Sequence, residues 1–259
     1  MRFRQSAALC AAMTLLGAAA VIRAEESRGA VSRDGAIARS VGSPTDGALV
    51  GGVALHERTE LRLRWPDGPR WALPPLVTML ERAAERVGRR FPGSILLVGD
   101  LSRREGGAIG GHLSHESGRD ADVGFYYSDA RGRAVRTDHL LAVGDLGNVP
   151  AAAALRFDEA RNWELVQAFL SDPDASVQRI FLAAPLKRLL LDYAKRHEAA
   201  PNLVERAERA IRQPSRGSPH DDHFHVRIAC PPDEGDECIG DPPSRASRER
   251  TASLEPNER

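Results

Sequence analysis

Of the eight histidines in this chain, five fall in two short windows. The first is Gly110-Gly111-His112-Leu113-Ser114-His115-Glu116-Ser117-Gly118-Arg119-Asp120-Ala121-Asp122, and the second is His220-Asp221-Asp222-His223-Phe224-His225. A fold that joins these windows assembles the donor set of a metal: zinc takes three protein ligands from histidine and carboxylate at about 2.0–2.2 Å and keeps a fourth position open for water. His223 and His225 stand two apart on a predicted strand, so both rings point to one face. One can ligate while the other stands beside the bound water. Asp122 opens another predicted strand, and Gly118 with Gly110-Gly111 lets the preceding loop fold back so that His115 and Asp122 converge. Taken singly, each motif has a plainer reading. A His-x-His pair is commonly exposed strand surface, His112 and His115 fit one solvated helical turn, and Asp120, Asp221 and Asp222 suit turns. Their joint occurrence favours the metal.

The N-terminus places this chemistry outside the cytoplasm. Arg2 and Arg4 precede an uncharged Ala/Leu-rich run from Ser6 to Ile22, followed by Arg23-Ala24. That order describes a secretory signal peptide over residues 1–24, with cleavage after Ala24. The alternative is an uncleaved anchor, since the run is only slightly shorter than a spanning helix. Once the signal is removed, no stable membrane insertion is expected. Of the three cysteines, Cys10 leaves with the signal. Cys230 and Cys238 remain as an even pair that an oxidising compartment closes into a disulfide.

Between the termini the sequence predicts one α+β domain over residues 42–238, after a polar leader at 25–41 and before a disordered tail at 239–259. Gly42–Gly47 is turn chemistry leading into Ala48-Leu49-Val50. Helical spacing covers Leu76–Arg90, Asn162–Leu170, Pro185–His197 and Asn202–Gln213. Apolar or alternating runs predict strands at Ser94–Val98, Val123–Tyr127, Val177–Ala183 and His223–Ile228. Helices and strands interleave without regular βαβ spacing.

Other function classes find little support. A formal net charge of zero and 5% aromatic residues argue against nucleic acid as a partner. No Gly-x-Ser-x-Gly elbow, phosphate loop or HExxH helix is present, and the two mature cysteines are better used as a disulfide than as nucleophiles.

Two longer patterns carry a resemblance. His115-x6-Asp122 with the later His223-x-His225 resembles the LAS metallopeptidases, a group of lysostaphin-type endopeptidases, D-Ala-D-Ala peptidases and the hedgehog signalling domain. More narrowly, Gly-Gly-His-x-Ser-His-x-x-Gly-x-Asp-x-Asp followed by His-x-x-His-x-His-Val-Arg and Cys-Pro is similar to the penicillin-insensitive murein endopeptidases, from about Gly42 to Cys238. The resemblance implies a central, mainly antiparallel sheet carrying the zinc site and flanked by helices. It also implies a periplasmic enzyme that hydrolyses D-alanyl–meso-diaminopimelyl cross-bridges of peptidoglycan.

By the same resemblance His115, Asp122 and His225 are the zinc ligands. His223 is the catalytic residue beside the bound water, and His220 and His112 have supporting active-site positions. The family's Asp-x-x-His, which can add a second metal, reads Asp145-Leu146-Gly147-Asn148 here. One zinc is therefore expected; His112 and Asp145 are the candidates for an additional metal or active-site position, with Asn148 arguing against a second ion. The family also tends to carry further disulfides. The alternatives are a D-Ala-D-Ala dipeptidase or carboxypeptidase of the same group, or a non-catalytic, zinc-stabilised wall-binding module, to which His223 would be of no use. Nothing in the sequence sets an oligomeric state.

Overall fold

The computed structural model describes residues 37–240. The signal peptide, most of the leader and nearly all of the tail expected from the sequence lie outside these residues. Among the described residues, no helix is long and apolar enough to cross a membrane.

The chain opens with a hairpin, β1 (Arg39–Ser43) and β2 (Asp46–Val50), followed by β3 (Val53–Ala54), β4 (Leu61–Leu63) and β5 (Trp71–Ala72). Helix α1 (Pro74–Arg90) leads to β6 (Leu96–Val98) and β7 (Asp120–Gly124). The short strands β8 (Tyr127–Ser128), β9 (Ala134–Val135) and β10 (Arg156–Phe157) precede α2 (Glu159–Leu170). Then come β11 (Val177–Phe181), α3 (Ala184–Arg196), α4 (Pro201–Ala210), β12 (Ile211–Arg212) and β13 (His223–Ile228). Six strands form the central sheet in the order β12-β11-β13-β7-β6-β4. Its three inner pairings are antiparallel and the outer pair at each edge is parallel. The α+β expectation holds, with a mixed sheet.

Two-residue periodicity divides the sheet into a core face and a site face. On β13, Phe224, Val226 and Ile228 are buried in the single hydrophobic cluster, as are Ala121 and Val123 of β7. They share that cluster with Leu76, Met79, Leu80 and Val87 of α1 and Leu165, Val166 and Phe169 of α2. The alternate residues Asp120 and Asp122 on β7, and His223, His225 and Arg227 on β13, face the other way. The register sets His225 opposite Asp122 and Arg227 opposite Asp120.

Element ends shift by up to three residues elsewhere, and three larger differences from the sequence expectation have a visible cause. The strand expected over Val123–Tyr127 starts at Asp120 and breaks at Phe125-Tyr126. There the buried Asn162 competes for the backbone: its Oδ1 accepts Tyr126 N–H at 2.9 Å and its Nδ2 donates to Tyr126 O at 2.8 Å. The last helix stops at Ala210, because Ile211, fully buried, pairs with Ile180 as a parallel edge strand. Arg39–Val41, read as leader, belongs to β1, where Ser40 N–H donates to Glu234 Oε1 at 2.9 Å.

That last contact shows what the disulfide does. Cys230 and Cys238 are bonded, and the loop they close lies against β1: Gly42 bridges Cys238, and Ile239 N–H donates to Gly42 O. The buried Arg119 guanidinium reaches Ile239 O at 2.7 Å. Closing a loop of this size removes about 2–3 kcal/mol of unfolded-state freedom. Replacing both cysteines with serine is expected to lower the melting temperature by about 5–10 °C, read by calorimetry under oxidising conditions. An unchanged melting temperature would show that the staple is dispensable.

Candidate metal centre

β7 and β13 supply the floor of a cleft of about 370 Å³. Its walls are the loop around His112-Leu113 and the loop Pro214–Ser218. His115 reaches the floor from the first loop. It is fully buried and adopts φ +75°, a left-handed backbone that costs a non-glycine residue energy. The strain is held in place from both sides. Glu116 N–H donates to Pro44 O and Gly107 N–H to Glu116 O, while Gly47 N–H donates to the Glu116 carboxylate. Gly106 (φ +75°) lies so close that a Cβ there would fall 2.1 Å from Glu116 O. The β1–β2 turn therefore clamps the residue next to His115.

The polar atoms converge on one oxygen. Asp122 Oδ1 lies 3.2 Å from His115 Nε2, 3.2 Å from His225 Nδ1 and 3.3 Å from His223 Nε2. The rings of His115 and His225 stand 4.6 Å apart between centroids. His112 Nδ1 is 3.6 Å from Asp122 Oδ2, and its Nε2 is 3.0 Å from Asp100 Oδ2. His112, His115 and Asp122, and separately His220, His223 and His225, bring one donor atom each within 4.8 Å of one another.

A further layer of carboxylates orients these rings. Asp120 Oδ1 faces His225 Nε2 at 2.9 Å and accepts Arg227 Nε–H at 2.6 Å, so His225 points Nδ1 into the cleft. Asp222 Oδ1 pairs with His223 Nδ1 at 2.6 Å, leaving Nε2 toward Asp122. His220, also left-handed at φ +57°, donates Nδ1–H to Ser218 O at 2.8 Å. A carbonyl only accepts, so Nε2 of the neutral ring carries the lone pair.

Charge follows geometry. Burial works against the Asp122 anion, yet the surrounding histidines hold its carboxyl well below the usual range. Asp120 is lowered in the same way, with His225 and Arg227 outweighing burial. His223 is pushed up to about 10 as Asp122 and Asp222 overcome its desolvation. His220 drops to about 4 through burial and the nearby His225 and His223.

The site passes a physical test for a cation. Both ring nitrogens of His115 and Asp122 Oδ1 are buried without a hydrogen bond. At 3.2 Å their mutual approach is electrostatic contact, misaligned for N–H donation. Each such atom costs about 1–3 kcal/mol unless something satisfies it. Adjacent lone pairs of mixed N and O type facing one hollow suit a divalent ion.

The residues expected from the sequence are therefore brought together, with one exception. His112, His115, Asp122, His220, His223 and His225 share the cleft region, whereas Asp145 is exposed in the turn Gly144–Gly147 and does not line the cleft. The carboxylate beside His112 is Asp100, which follows β6 and has no motif around it. The partner of His225 is Asp120, and Asp222 pairs with His223 instead. Asp120 was within reach of sequence reasoning, because a strand beginning two residues before Asp122 puts both carboxylates on one face.

The family model for penicillin-insensitive murein endopeptidases matches residues 40–255. Among similar proteins, the penicillin-insensitive murein endopeptidase of Haemophilus influenzae is 31% identical over 208 residues, covering 78% of this chain and 67% of the relative. The Klebsiella pneumoniae protein of the same name is 27% identical over 206 residues, covering 76% and 68%. That of Escherichia coli K12 is 26% identical over 200 residues, with the same coverage.

Asp120 gives the first test of the centre. Asp120→Asn keeps the shape and removes the charge behind His225, and is expected to weaken divalent-ion binding about 10–100-fold. Competition with a chromophoric chelator measures this, and unchanged affinity would separate Asp120 from the metal.

Proposed function

This chain belongs to the penicillin-insensitive murein endopeptidase family, and from that premise we propose that it is a zinc-dependent enzyme cleaving D-alanyl–meso-diaminopimelyl cross-bridges of peptidoglycan. The observation that carries the zinc assignment is the set of unsatisfied donors at His115 and Asp122 beside His225 Nδ1. In this reading those three residues hold one ion in a LAS-like arrangement. Bound there, zinc supplies Lewis acidity toward the scissile carbonyl and lowers the pKa of water toward about 7.

The remaining steps belong to side chains. Asp120 and Arg227 fix the tautomer of His225, so that Nδ1 is the ligating atom. Asp222 holds His223 with Nε2 toward the reaction centre; a divalent ion on Asp122 would offset the anionic charge that raises His223, and the ring, neutral in that state, would take a proton from the attacking water and return it to the departing amine. His220 has its Nδ1–H engaged by Ser218 O and its charged form disfavoured by burial. It is suited to accept a hydrogen bond from the substrate N–H, and is a poor source of protons. On this reading His223 both accepts and returns the proton, and His220 supports the reaction by positioning the substrate.

A single ion is the stoichiometry proposed, since Asp145 does not line the cleft with His112 and Asn148 offers no imidazole. Export to the periplasm fits both the substrate and the Cys230–Cys238 bond. The endopeptidase reading is preferred to a dipeptidase because the relatives carry that name.

Two variants separate holding the metal from using it. His225→Ala is expected to lose zinc and all cross-link cleavage. His223→Ala is expected to keep one zinc per chain and lose about 10²–10⁴-fold in rate. The measurements are metal analysis and mass spectrometry of muropeptides, with conversion of cross-linked dimers to monomers as readout. Full cleavage by a chelated, zinc-free protein would overturn the mechanism.

A further inference from the structure

The cleft is poor in carboxylates. Four histidines and two arginines line it against one carboxylate, Asp122, which is committed to the histidines around it. The two arginines are not equivalent. Arg227 is buried and donates to Asp120 behind the metal ligands. Arg216 is exposed at the cleft wall and makes no hydrogen bond or ion pair with any described residue.

The loop that carries Arg216 is braced. At its start, Gln213 Oε1 accepts Ala184 N–H at 2.9 Å, anchoring it to the first turn of α3. At its end, His220 O accepts Ala183 N–H, and the His220 ring is tied back to Ser218 O. Pro214 and Pro219 restrict the backbone between. Gly217 (φ +82°) abuts the opposite wall, where a Cβ would meet Leu113 Cδ1 at 3.2 Å. A guanidinium carried on a loop braced in this way, with an open cleft before it and no acid partner among the described residues, is available to a carboxylate brought by the substrate.

We propose that Arg216 is a specificity-determining residue that binds a free carboxylate on the substrate's leaving half, next to the scissile nitrogen. The inference rests on the proposed peptidoglycan reading. In a D-alanyl–diaminopimelyl bond the carbon attached to the scissile nitrogen carries an unblocked carboxylate. An enzyme that holds this group positions the bond and rejects peptides that continue through it. Arg216 touches the substrate's anion and not the reacting atoms, so its loss acts on binding and leaves the metal in place.

The test uses the zinc-loaded protein and two cross-linked muropeptide dimers, identical except that the carboxylate beside the scissile nitrogen is free in one and amidated in the other. For the free-carboxylate dimer, Arg216→Ala is expected to lower kcat/KM about 10–100-fold, mostly through KM. Arg216→Lys should recover part of the loss. The amidated dimer should be cleaved more slowly by the wild type, and at a similar rate by wild type and Arg216→Ala. Zinc content should be the same in all three proteins. Direct titration of both dimers onto a chelated, non-turning-over protein gives the same comparison as binding. If neither dimer is cleaved but Arg216→Ala weakens only binding of the free-carboxylate dimer, the endopeptidase reading fails and the carboxylate site stands. Equal treatment of both dimers by the wild type, or equal losses on both with Arg216→Ala, would overturn the proposal.

Discussion

The cross-strand pairing of Asp122 with His225 is the constraint on which the rest of this structure depends. It places a carboxylate and an imidazole side by side at the centre of a sheet, with Asp120 and Arg227 paired in the adjacent row. Two carboxylates buried two residues apart on one strand face are expensive, because each loses its hydration. They persist because they are neutralised from different directions. Asp120 is met by Arg227, the His225 ring and the His115 amide. Asp122 is met by His115, His223 and His225. Charge is thus layered, with a satisfied ion pair behind and a donor-rich hollow in front.

The opposite face of the same strands makes that layering affordable. Phe224, Val226, Ala121 and Val123 are buried against α1 and α2, so a slip of one residue in register would send the charges into the core. The site loop is secured independently, by the β1–β2 turn on Glu116 and by Arg119 reaching the strand-like segment after Cys238. Left-handed backbone at His115 and His220 is concentrated where the chemistry is expected, as strained residues at functional sites commonly are.

Much of this was legible from the residues. Clustered histidines identified the site, alternation in His223–Ile228 identified the face they share, and the amphipathic runs gave α1 and α3 within two residues. What escaped was governed by contacts distant in sequence. Asp100 lies beside His112 only because β6 and β7 are neighbours, and nothing local distinguishes it from a turn aspartate. Ile211 continues a helical pattern in sequence but finds a strand partner in Ile180. Arg39–Val41 look like linker until the disulfide loop and β2 cover them. Asp145, by contrast, matches a motif yet stands in an exposed turn that does not line the cleft, so spacing alone does not deliver a side chain to a site.

The central claim is one ion bound between the two windows. Anomalous diffraction at the zinc edge, from crystals of the zinc-loaded protein, tests it most directly. The account predicts one peak per chain, at about 2.0–2.2 Å from His115, Asp122 and His225 Nδ1, with His223 outside the coordination shell. A peak centred on His220 and His223, or a second peak beside His112 and Asp100, would contradict it.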